Sequence, residues 1–69
     1  MYQKYAETRY QVEQVNYNEF ARTTTTSVFY TDDFFEAVAQ VQIALPNYHH
    51  IELFDSVAGR TLFDSSDLD

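Results

Sequence analysis

The sequence predicts an α+β fold in which four strands form one sheet, in the order β-β-α-β-β, with a single helix packed on one face. Three observations carry this. The clearest helical periodicity lies in the middle of the chain, at "TDDFFEAVAQVQIAL", and stops at Pro46. A strand, turn and strand pattern follows in "YHHIELFDSVAGRTLFD", and the segment before the helix is dense in Val, Tyr, Thr and Phe, residue types that favour a pleated, half-buried surface. With one helix, an antiparallel or mixed four-stranded sheet is the economical way to bury both amphipathic elements, and it leaves one sheet face uncovered.

In the first segment, Thr8–Thr31, "NYN" is a candidate turn and the Thr23–Thr26 run suits an extended edge. Tyr10 and Val12 share one parity, whereas Val15 and Tyr17 fall on the other, so a strand here needs a bulge or an early turn. A helix from about Tyr2 to Phe20 competes, because Tyr2, Tyr5, Ala6 and Tyr10 also fit a helical stripe. For the central helix, Phe34, Val38, Val41 and Leu45 recur along one face, widened by Phe35, Ala37 and Ala44. Thr31 or Asp32 can cap its start, Asp32 and Asp33 complement the dipole there, and Asp33 with Glu36 has capping-box spacing. In the last segment Ile51 and Leu53 face one way, Glu52 and Phe54 the other. Gly59 supplies a turn position with φ > 0, helped by Asp55 and Ser56, which can bond nearby backbone N–H groups. The tail "DSSDLD", with residues 65–69 at its end, reads as a charged, frayed terminus.

Length and composition narrow the function. With 69 residues there is room for one domain, 1–69, and one small core, so burial against a partner or a second copy would add stability that the core alone supplies sparingly. The absence of Cys excludes disulfides, thiolate zinc sites and thiol chemistry. No segment has the roughly 20 apolar residues needed to span a bilayer, and the first residues lack the apolar stretch of a signal peptide, which predicts a cytoplasmic protein with no membrane partner. Six Tyr and six Phe exceed what so small a core can enclose, leaving tyrosines as contact residues.

Charge is the strongest global signal. Residues 1–30 balance Glu7, Glu13 and Glu19 against Lys4, Arg9 and Arg22, while residues 31–69 set eight acids against Arg60 alone, so the whole net charge of −7 belongs to the later part. Such a field repels nucleic acid and attracts basic protein surfaces. Direct nucleic-acid binding is excluded for want of a Lys/Arg stripe to neutralise phosphates. A surface whose carboxylates imitate phosphates on another protein's nucleic-acid site is compatible with it.

No catalytic constellation is present. There is no nucleophile elbow and no phosphate-binding glycine loop, and the Asp32–Asp33–Glu36 group already has a capping role. The chain is therefore expected to be non-enzymatic and to need no cofactor. On a strand His49 and His50 point to opposite faces, so one metal could use only one of them; His50 with Glu52, completed by Asp55, Asp64, Asp67 or Asp69, is the weakest of three readings, and no metal site is assigned. The favoured contact set is Asp32, Asp33, Glu36, Glu52, Asp55 and Asp64, with Tyr10, Tyr17 and Tyr48 nearby. The alternative is a homo-oligomeric accessory subunit, in the simplest case a homodimer, associating through an aromatic sheet face.

The pairing of "TDDFFEAVAQVQIAL" with "HHIELFDSVAGRTLFD", across residues 31–64, resembles the layout of small acidic phage-encoded accessory proteins, including anti-CRISPR-type inhibitors. That resemblance implies a protein of the host-cell cytoplasm that binds and blocks a host or defence machine. It transfers no residue role.

Overall fold

A computed structural model describes residues 8–68. The element order is β1 (Tyr10–Asn18), β2 (Thr23–Thr31), α1 (Phe34–Ala44), β3 (His50–Asp55) and β4 (Arg60–Asp64), followed by a short 3₁₀ helix (Ser65–Leu68). The strands make one sheet in the order β2-β1-β3-β4, and every neighbouring pair is antiparallel. This is the expected α+β arrangement. Since β2 and β3 both run against β1, they are parallel to each other, and α1 is the crossover that carries the chain past β1.

The register divides the side chains into two faces. Thr31–Tyr10–Asp55, Phe29–Val12–Leu53–Phe63 and Ser27–Gln14–Ile51 stand in cross-strand rows on the side covered by the helix. The core comprises Tyr10, Val12, Ala37, Val41, Ala44, Ile51 and Leu53, with Phe29, Tyr48 and Phe63 packed against it.

The helix meets this core differently from the stripe read in the sequence. Ala37, Val41 and Ala44 are its buried positions. Two alanines let the helix backbone approach the sheet closely, and that approach displaces the larger side chains: Phe34 and Leu45 lie at the flank and Phe35 is 80% exposed. The N-cap is Asp33, neither Thr31 nor Asp32: its Oδ1 accepts from the backbone N–H groups of Phe35 (2.9 Å) and Glu36 (3.3 Å). Thr31 supports the cap, accepting from the Asp33 N–H and donating its hydroxyl to Glu36. Beyond Pro46, the N–H groups of Asn47 and Tyr48 both bond the Ala44 carbonyl and close the last turn.

β1 is one uninterrupted nine-residue strand, so the parity change at Val15 needs no bulge. Tyr10 and Val12 turn to the helix, Val15 and Tyr17 to the opposite face, and the amides of Gln14 and Asn16 fill the helix side instead. Gln14 is held there by Gln40 (2.8 Å) and Asn16 by the Asn47 carbonyl (3.2 Å). The register irregularity lies between Leu53 and Phe54, opposite β4. The turn sits beyond "NYN", at residues 19–22: Asn18 Oδ1 accepts from the N–H groups of Phe20 and Ala21, and Arg22 takes φ 54°. The competing helix is a strand from Tyr10 onward, and Tyr2, Tyr5 and Ala6 lie outside the described residues.

Gly59 has φ 70°, as the β3–β4 turn requires. Asp55 organises that turn, its Oδ1 accepting from Val57 N–H (3.0 Å) and Ala58 N–H (3.1 Å). Ser56 acts at longer range: its N–H and hydroxyl both donate to the Arg9 carbonyl. In the tail, the Ser65 hydroxyl accepts from Ile51 N–H, which ties the 3₁₀ turn to β3; Asp69 lies outside the described residues.

One side chain opposes the general pattern. Gln11 is 1% exposed and neither of its amide atoms has a hydrogen-bond partner among the described residues. An unsatisfied buried amide costs its full desolvation energy, so Gln11→Met should stabilise the fold by about 1 kcal/mol in urea denaturation; a destabilised variant would show that the amide is doing something the structure does not contain.

Candidate functional site

The face of the sheet opposite α1 carries the most concentrated charge. Glu13 on β1 stands directly across from Glu52 on β3, and Glu52 directly across from Asp64 on β4, so three carboxylates form one row across three adjacent strands. His50, two residues before Glu52, shares this face. Val28 on β2 continues the row beside Glu13; the rows to either side hold Val15 and, toward the ends, Tyr17 and Tyr30, each about half exposed. Like charges placed directly opposite repel, and antiparallel sheets normally avoid such pairs. The row is therefore a site where a cation on a partner gains energy that no neutral group could.

Local hydrogen bonds hold two members in place. Glu52 Oε2 accepts from the Thr61 hydroxyl. Asp64 Oδ1 accepts from the Ser66 hydroxyl (2.7 Å) and the Ser66 N–H (3.0 Å), and lies 2.8 Å from His50 Nε2. The Ser66 hydroxyl and N–H, then His50, lower the Asp64 carboxyl from 3.8 to about 2. One ligand atom from each of His50, Glu52 and Asp64 lies within 4.8 Å of the others. An imidazole with two carboxylates could hold a first-row divalent cation such as zinc, but its atoms are engaged with one another, Thr61 and Ser66, and a metal would have to displace those bonds.

The expected contact residues do not converge on this face. Glu52 and Asp64 are there, and Tyr17 is at its margin. Asp32, Asp33 and Glu36 are exposed at the start of the helix, at one end of the opposite side, and each has a structural partner: Asp32 Oδ1 accepts from Arg9 N–H at 2.7 Å, Asp33 caps the helix, and Glu36 receives the Thr31 hydroxyl. Tyr48 packs against the core. Tyr10 is 8% exposed, its ring edge-on to Phe34 at 5.5 Å. Asp55 is buried and paired: Arg9 Nε and Nη2 bond its two oxygens at 3.1 and 3.0 Å, and this pairing depresses its carboxyl pKa. Tyr10 and Asp55 thus present no surface to a partner. The residue that sequence reading missed is Glu13, whose place opposite Glu52 follows only from the β1–β3 register.

Two concavities lie elsewhere. An open depression of about 750 Å³ adjoins the β1–β2 turn, between Tyr17, Phe20, Asn47 and His49. A groove of about 310 Å³ runs beside the helix, lined by Phe34, Val38, Leu45, Leu53, Leu62 and Phe63. Neither holds a pair of carboxylates. Among the described residues no helix is long and apolar enough to cross a membrane. No protein-family model, curated protein or solved structure matches this chain.

Both depressed carboxyls contribute to stability with the same sign. A folded-state pKa below the unfolded value stabilises the fold fully above about pH 4 and loses that contribution as pH falls through the folded pKa, here about 2 for Asp64. The thermal midpoint should therefore decline on acidification over that window, and Asp64→Asn should decline less steeply than the parent. Identical acid slopes would contradict the role given to Ser66 and His50.

Proposed function

We propose that this is a non-catalytic interaction protein that binds a basic surface on another protein through the sheet face opposite α1, with Glu13, Glu52 and Asp64 as the charged centre and Tyr17 and Tyr30 as flanking contacts. The observation that supports the reading is the cross-strand row of carboxylates. Lys or Arg side chains laid along it would relieve the repulsion between neighbouring strands, and the half-exposed tyrosines offer rigid apolar area at small entropic cost. Because the fold is net negative, approach of a basic partner is accelerated at a distance and unlike-charged competitors are favoured over nucleic acid. Within this proposal, and following the resemblance to phage accessory proteins, the partner is a nucleic-acid-handling or defence protein, blocked sterically and electrostatically in the host cytoplasm.

The test is a pull-down from a host lysate at low salt, repeated at high salt and with charge-reversed bait. Binding should fall steeply with salt, and Glu52→Lys should weaken it by about tenfold or more. The same substitution removes like-charge contacts, so it should leave the fold at least as stable as the parent, which separates lost binding from lost structure. Capture that ignores both salt and charge reversal would rule the mechanism out.

A further inference from the structure

The two edges of the sheet are treated differently. At one edge β4 is short, with five residues, carries Arg60 and Asp64, lies opposite a register shift and runs straight into the 3₁₀ turn. These are the devices by which proteins blunt an edge against further pairing. At the other edge β2 has none of them. Its nine residues, "TTTTSVFYT", contain no Lys, Arg, Asp, Glu or Pro, pair in unbroken register with β1, and are exposed from Thr23 to Ser27. The opposite side of this strand bears no strand partner among the described residues.

We infer that β2 is a self-association edge: two copies of the chain pair antiparallel through Thr23–Thr31 about a two-fold axis at Ser27, making one continuous eight-stranded sheet. A second copy is favoured as the occupant by the charges that bracket the strand. Arg22 precedes it and Asp32 follows it, and with Ser27 opposite Ser27, Arg22 of each copy falls opposite Asp32 of the other. Arg22 is exposed and has no ion pair among the described residues. Asp32 uses Oδ1 for Arg9 N–H and keeps Oδ2 for the other copy's guanidinium. The remaining pairs in this register set Thr24 against Tyr30, Thr25 against Phe29 and Thr26 against Val28, the β-branched and aromatic combinations that stabilise a ladder. The strand itself brings no like charges together, although each chain carries −7 overall. A two-fold axis normal to the sheet also keeps both carboxylate rows on one side. The inference stands independently of the function proposed for that row.

The absence of cysteine allows a direct test. Directly opposed residues in an antiparallel pair have Cα atoms about 4.5–5.5 Å apart, within disulfide range, so Ser27→Cys should oxidise to a covalent dimer at least about tenfold faster than Thr24→Cys, whose two copies lie far apart in this register. Sedimentation of the unmodified chain should show a concentration-dependent dimer. Arg22→Asp and Asp32→Lys should each weaken it, and an equimolar mixture of the two variants should recover it, since every facing pair is then opposite in charge. A monomer at all concentrations, as expected if the edge instead receives an extended peptide from another protein, would overturn the inference. So would equal cross-linking at Ser27 and Thr24, or a mixture no stronger than its components.

Discussion

The Arg9–Asp55 ion pair closes one end of the sheet, and much of the remaining structure is arranged around it. Arg9 is bonded at every polar group it has facing the protein: its N–H to Asp32 after β2, its carbonyl from Ser56 after β3, and its guanidinium, bidentate, to Asp55. Its guanidinium also lies 5.2 Å from the Tyr10 ring. Asp55 in turn holds the β3–β4 turn through Val57 and Ala58. Only Asp55 is buried, while the Arg9 side chain keeps 45% of its surface exposed, so the pair serves chiefly to satisfy the buried carboxylate and its main consequence is specificity. It sits beside the Tyr10–Asp55 register point, and a slip of one residue between β1 and β3 would put Val12 and Leu53 on opposite faces, so that only one of them could meet the helix.

The distribution of carboxylates follows from the same economy. Asp32, Asp33, Glu36 and Asp55 each satisfy backbone or side-chain donors, so a large share of the acidity that dominates the later part of the chain is spent on building the fold. Glu13, Glu52 and Asp64 differ because the sheet register sets them side by side. A fold with so small a core tolerates that repulsion only where water or a cationic partner can reach it. The contrast between a charged face and an uncharged edge at β2 gives one small domain two surfaces of different chemistry.

The helix, its stop at Pro46 and the Gly59 turn were legible in the chain because each rests on local rules of periodicity and backbone conformation. The helix's buried face was not. Hydrophobicity alone ranks Phe34 and Leu45 above Ala37 and Ala44, whereas close packing on a sheet selects the small side chains and moves the large ones to the rim. The parity change in β1 suggested a bulge because a strand is commonly read as having one core face along its whole length; β1 outruns the helix, and amides take over its covered side. The contact set was misassigned at Asp55 for a different reason. Its partner Arg9 is 46 residues away in sequence, and nothing local distinguishes an acid that will meet an arginine from one that will face water. The carboxylate row likewise depends on three strands aligning, which only the assembled sheet shows.

A double-mutant cycle on Arg9→Gln and Asp55→Asn, followed by urea denaturation, tests most directly whether that pair organises the fold. Strong coupling is the expected result, with Arg9→Gln clearly destabilised and the double variant little worse than Asp55→Asn alone, because the cost lies in leaving the buried Asp55 carboxylate without the half-exposed Arg9 guanidinium. Two small and additive losses would contradict it and would place the closure of the sheet in the apolar core instead.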